Sequence, residues 1–105
     1  MIIFKIMTKI SETKKLGSMK KHDGSEIAYE ILDDAEIICE YEKGKKYKKL
    51  IRKIKYLDDD EIGYIFGYYY WDSNNDCWHW GQRPLVVSQD EIEKLIQKAK
   101  AKRIL

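Results

Sequence analysis

The stretch from Glu61 to Trp71 alternates so regularly that it leaves the backbone little choice. Ile62, Tyr64, Phe66, Tyr68 and Tyr70 fall on one side of an extended chain, and Gly63, Ile65, Gly67, Tyr69 and Trp71 on the other, because successive strand residues point to opposite faces. Aromatic and β-branched side chains suit a pleated, half-buried surface, so the stretch predicts a strand. Asp72-Ser73-Asn74-Asn75-Asp76 follows, built only from residues that favour turns and left-handed backbone. Cys77 to Val87 then resumes extended character, with Trp78 and Trp80 on one side and Cys77, His79 and Gly81 on the other.

A hairpin with this five-residue loop sets a register. Trp71 would face Cys77, Tyr70 would face Trp78, Tyr69 would face His79, Tyr68 would face Trp80 and Gly67 would face Gly81. The glycine pair would leave a hollow on the second face or let the sheet bend there. A slip of one residue would exchange the two faces, so the register is a definite expectation.

Before this hairpin, Ile2 to Ile10 alternates as a strand whose lysines mark an edge. Residues 11–25 lack any apolar period and, with Gly17 and Gly24, predict a flexible loop. Glu26 to Leu32 and Ala35 to Glu42 each alternate, with Asp33-Asp34 expected as the turn between them. Lys43-Gly44 supplies the next turn. Lys46 to Leu57 fits a strand, although Tyr47, Leu50, Ile51, Ile54 and Leu57 also make a helical stripe; the flanking turns decide for strand. Asp58 to Asp60 turns the chain again. At the end, Ser88-Gln89-Asp90-Glu91 is a capping box, and Ile92, Leu95, Ile96 and Ala99 form an apolar stripe. Acids lie in its first turn and Lys98, Lys100, Lys102 and Arg103 near its end, as the helix dipole prefers. The expected fold is α+β: an antiparallel β-meander of about six strands, as a curved sheet or small barrel, with one C-terminal helix over residues 88–103.

A chain of 105 residues is sized for a single domain, 1–105, with its own core. Its charged residues make up 36%, yet they nearly cancel to a net charge of +2, too little by itself to imply nucleic acid. Two cysteines far apart, Cys39 and Cys77, suit a reducing compartment. No stretch is long enough to span a membrane, and Lys5 and Lys9 interrupt the N-terminal apolar run, so the expected location is the cytoplasm.

No complete catalytic constellation is present, and no P-loop, GxGxxG or GxSxG occurs. Asp72-x-Asn74-x-Asp76 begins like a calcium loop, but Cys77 stands where that loop needs glycine and Arg83 where it needs the bidentate glutamate. Cys77 and His79 share a face, but in the register above the carboxylates of Asp72 and Asp76 lie on the loop beyond them. No metal and no cofactor is therefore expected, and no catalytic residue is assigned.

Two features point to binding. Lys43 to Lys55 is nearly unbroken by acid, and such a strand beside exposed aromatic rings can track phosphates and stack bases. The residues expected to meet nucleic acid or an acidic protein surface are Lys46, Lys49, Arg52, Lys53, Lys55, Tyr69 and Trp71. The glycine hollow defines an alternative ligand pocket, lined by His79, Gln82 and Arg83. The expectation is thus a small non-enzymatic binding or regulatory module. Nucleic acid is the favoured partner, followed by an acidic protein surface, a second copy of the chain in a homodimer, and a small ligand or substrate at the pocket.

Overall fold

A computed structural model describes residues 15–105 of the chain; the strand expected at Ile2–Ile10 lies outside them. Five strands and one helix follow in order: β1 (Lys15–Lys20), β2 (Glu26–Glu42), β3 (Lys45–Tyr56), β4 (Ile62–Asp72), β5 (Cys77–Trp80) and α1 (Gln89–Ala101). The strands hydrogen-bond in sequence order, β1-β2-β3-β4-β5, as an antiparallel meander. The fold is α+β as expected, with five described strands where about six were expected.

Three differences change the strand boundaries. The segment read as a loop over 11–25 is strand from Lys15 to Lys20. Asp33-Asp34 is not a turn but the middle of a 17-residue strand. The second arm of the aromatic hairpin ends at Trp80, with no strand from Gly81 to Ser88. The acidic pair survives inside a strand because its charges are met. Arg52 grips Asp34 through two donors, Nε to Oδ1 at 2.8 Å and Nη2 to Oδ2 at 2.9 Å. Lys102 reaches Asp33 Oδ1 at 3.0 Å.

The contacts divide the chain into two compact units, and β2, β3 and β4 give residues to both. In the described part of the first, residues 15–32 with Ile54–Gly63, Gly17 pairs with Tyr29, whose ring lies where a Cβ on Gly17 would stand. Tyr29 and Ile54 are its buried residues. Its turns are closed by Asp23, which accepts from the Ser25 amide and hydroxyl, and by Asp59, which accepts from the Glu61 amide.

The second unit, Asp33–Lys53 with Tyr64–Leu105, holds the main core. Ala35 and Ile37 of β2 and Ile51 of β3 pack against Leu95 and Ala99 of α1 and against Ile104. The helix begins as the sequence predicts: Ser88 Oγ accepts from the Glu91 amide, and Glu91 Oε1 accepts from the Ser88 amide at 2.8 Å. At its end Arg103 takes a left-handed φ of 59°, the Arg103 amide returns to Lys100 O and the Ile104 amide to Ala99 O. This 5→2 and 6→1 pair is a Schellman motif, and it turns Ile104 back into the core. Lys98 adds a bond to the Glu36 carbonyl at 3.0 Å, fastening the helix to β2.

Candidate functional site on the aromatic hairpin

The hairpin forms, but one residue out of the expected register. Tyr69 pairs with Trp80, Tyr70 with His79, Trp71 with Trp78 and Asp72 with Cys77. The loop is therefore Ser73 to Asp76, four residues rather than five, because Asp72 belongs to the strand. Its carboxylate explains this. Asp72 Oδ1 accepts from the amides of Asn74 at 3.0 Å and Asn75 at 3.2 Å, and Oδ2 accepts from Asn75 Nδ2 at 2.8 Å. A side chain that caps the turn from the last strand position is an Asx turn. Asp76 closes the loop in left-handed conformation, with φ 56°.

The slip re-sorts the rings. Tyr69, Trp71, Trp78 and Trp80 now share one face, and the Gly81 amide donates to Tyr68 O at 2.8 Å. Hydrogen-bonded and open pairs alternate along an antiparallel ladder, so Tyr69–Trp80 and Trp71–Trp78 are the open pairs, where side chains come closest. Their ring centroids lie 5.0 and 5.2 Å apart in edge-to-face arrangement, which suits the quadrupoles of the rings. This face lies opposite α1, since Ile51 packs on the helix and its neighbours Leu50 and Arg52 point the other way. Lys48 stands on the same side, its ammonium 4.7 Å from the Trp78 centroid and 5.8 Å from that of Tyr69. Arg52 lies under Trp80 at 5.5 Å and Tyr69 at 5.8 Å.

The expected hollow is absent. An added Cβ on Gly67 would meet the Trp80 indole at 2.3 Å, and one on Gly81 would meet the Tyr68 ring at 2.1 Å. The two glycines do not pair; each is covered by an aromatic ring. Arg83 instead lines a cavity of about 250 Å³ with Tyr41, Tyr47, Lys49, Tyr68 and Pro84 to Val86. His79 and Gln82 are not among its walls. Gln82 is exposed on the segment after β5.

The basic strand separates into solvated and structural charges. Lys46 is exposed and Lys53 half-buried. Lys55 lies 3.9 Å from Glu30. Arg52 and Lys49 turn inward, at 9% and 7% exposure. Asp34, then Tyr69, hold the Arg52 guanidinium firmly protonated against the cost of burial. Lys49 donates to Tyr41 Oη, to Val86 O at 2.6 Å and to Glu91 Oε1 at 2.9 Å, and Tyr41 donates to Glu91 Oε2. Burial pushes the Lys49 ammonium down, but Tyr41 and Glu91 outweigh it and raise its pKa. Burial likewise pushes Glu91 up, yet bonds from Cys39, Tyr41, the Ser88 amide and Lys49 hold it well below the usual carboxylate range. Burial and the adjacent Glu91 raise the Tyr41 hydroxyl. These donors are committed to the fold.

On the helix-side face of the hairpin, Asp72, Cys77 and His79 converge. His79 Nε2 lies 2.9 Å from Asp72 Oδ2 and 3.5 Å from Cys77 Sγ. Hydrogen bonds from Asn75 and then His79 lower the Asp72 carboxyl to about 2. From the sequence alone Asp72 falls in the loop, beyond the reach of Cys77 and His79; in the structure it is the last residue of β4, opposite Cys77. Its turn-forming chemistry is the signal in either case; only pairing decides which side of the boundary it occupies. Lys48 was visible in the basic run but unassigned, although it is two residues from Leu50 and so on the same face. Among the described residues, no helix is long and apolar enough to cross a membrane. Comparison with known proteins adds no relative: no family model matches the chain, and neither a curated protein nor a solved structure does.

Proposed function

We propose that the chain is a small binding module without catalytic chemistry of its own, and that it holds single-stranded nucleic acid on the aromatic face of the hairpin. The quartet Tyr69, Trp71, Trp78 and Trp80, with Lys48 over Trp78, is the observation that carries this reading. A base stacked on an aromatic ring contributes about 1–3 kcal/mol and needs no particular sequence. Trp80, 36% exposed, offers such a ring at the edge of the quartet. Lys46 and Lys48 lie two apart on one side of β3 and supply the phosphate contacts. Lys49 and Arg52 act from within, Arg52 by bracing the rings of Tyr69 and Trp80.

Two phosphate contacts on a single strand give a salt slope of about −1.4, so affinity should fall about sevenfold between 50 and 200 mM salt. Fluorescence anisotropy with labelled oligothymidine and with a duplex tests this. The expected result is micromolar binding to the single strand, a salt dependence of that size, and a loss of about fivefold or more in Trp80→Ala. Absence of salt-dependent binding at micromolar protein rejects the reading. An acidic protein surface or a second copy of the chain would then be the partner for the same lysines, and sedimentation at two concentrations separates those.

The cavity beside Arg83 ranks below this face. At about 250 Å³ it falls short of the roughly 300–1,000 Å³ usual for small-molecule sites. The Lys49 donors that would serve a ligand there already hold three protein acceptors.

A further inference from the structure

The one-residue slip builds a second constellation on the opposite side of the hairpin. Asp72 and Cys77 stand across from each other at its mouth, and His79 projects to the same side two residues further on. One donor atom from each lies within 4.8 Å of the other two. A single imidazole nitrogen carries either one proton or one lone pair. His79 Nε2 can therefore satisfy Asp72 Oδ2 at 2.9 Å or Cys77 Sγ at 3.5 Å with a full hydrogen bond, but not both. A cation in place of that proton satisfies all three groups at once.

We propose that Asp72, Cys77 and His79 form a three-ligand site for a zinc-class divalent cation, with the fourth position open to solvent. Zinc bond lengths to nitrogen and sulfur in a tetrahedron set those two donors about 3.5 Å apart, and nitrogen and oxygen about 3.3 Å apart. The observed sulfur–nitrogen distance of 3.5 Å already fits. The nitrogen–oxygen distance of 2.9 Å needs to open by about 0.4 Å, within reach of small χ rotations. The ligands are held in place beforehand. The Asn74 and Asn75 amides fix Asp72 Oδ1, and the Tyr70 ring lies beside the imidazole with centroids 5.4 Å apart. Such outer partners orient metal ligands. The thiol directs the site to zinc, cobalt and their neighbours rather than to magnesium or calcium, which take oxygen. The His79 side chain is 44% exposed and that of Asp72 20%, which leaves an entry path and the open position. On binding, Cys77 coordinates as thiolate and its proton leaves to solvent, while His79 coordinates through Nε2 as neutral imidazole.

Titration of the reduced, metal-free chain with Co²⁺, followed by Zn²⁺, tests the site. One equivalent of Co²⁺ should give tetrahedral d–d absorption and a thiolate-to-cobalt charge-transfer band, both removed by Zn²⁺. Cys77→Ser should lose the charge-transfer band, and Cys39→Ser should keep it. Asp72→Asn keeps acceptors for the turn amides while removing the anionic ligand. It should weaken binding by at least about tenfold, the cost that even an outer partner carries. No stoichiometric Co²⁺ binding at micromolar protein would show that the three groups only hydrogen-bond across the hairpin, and would overturn the proposal. So would a charge-transfer band that survives Cys77→Ser or vanishes in Cys39→Ser.

Discussion

Lys49 shows how a residue can carry a different meaning in the fold from the one its neighbours give it. In the sequence it is one lysine in a basic run. In the structure its ammonium is buried against Glu91, a partner 42 residues later, and against Tyr41. Glu91 was legible as the third residue of a capping box, but nothing near it signals that it also neutralises a strand lysine. Glu91→Gln retains most of the cap and strands the Lys49 charge. It should destabilise the protein by about 3 kcal/mol, the usual scale for breaking a buried ion pair, as read by urea unfolding at neutral pH. The sign of the pH effect follows from the depressed folded pKa. The Glu91 contribution is present in full above its ordinary value of 4.5 and is lost as pH falls through the lower folded value. The stability curve of the unsubstituted protein should therefore drop below about pH 4.5, and the gap to Glu91→Gln should narrow there. Parallel curves would contradict this role.

At the scale of elements, the hairpin rests on glycines that make room for rings. The indole of Trp80 crosses Gly67 where a Cβ would come within 2.3 Å of it. Gly67→Ala should force Trp80 off Tyr69, at a cost of about 1–3 kcal/mol for overpacking, and should weaken the near-ultraviolet circular dichroism of the coupled rings. An unchanged spectrum would contradict the packing. Local chemistry made several elements readable beforehand. Ser88 and Glu91 announced α1, and Gly44, with φ 86°, marked the β2–β3 turn. The turns on either side identified β3 as strand. Asp33-Asp34 misled for a physical reason: turn propensity is local, while the cations that stabilise the pair inside β2 come from Arg52 and Lys102, on β3 and at the end of α1. Asp72 misled in the same way, since an Asx cap has one composition whether counted into the loop or into the strand.

At the scale of the whole molecule, the acid-rich stretch Glu26–Glu42 leads directly into the basic run Lys43–Lys55. Much of that segregation is internal pairing: Glu30 with Lys55, Asp33 with Lys102, Asp34 with Arg52. On the proposed reading a narrower set meets the partner: Lys48, over the Trp78 and Tyr69 rings, and Lys46, two residues before it on β3. Whether Trp78 and Trp80 join Tyr69 and Trp71 on one side of the sheet, and Cys77 and His79 join Asp72 on the other, depends on the hairpin register, because a shift of one residue exchanges the faces of β5 relative to β4. The most direct measurement is a nuclear Overhauser experiment on the folded chain, reading Hα–Hα contacts across β4 and β5. Close contacts at the open pairs, Trp71 with Trp78 and Tyr69 with Trp80, are the predicted result. Contacts pairing Tyr70 with Trp78 and Trp71 with Cys77 would contradict it, and with it both the stacking face and the cation site.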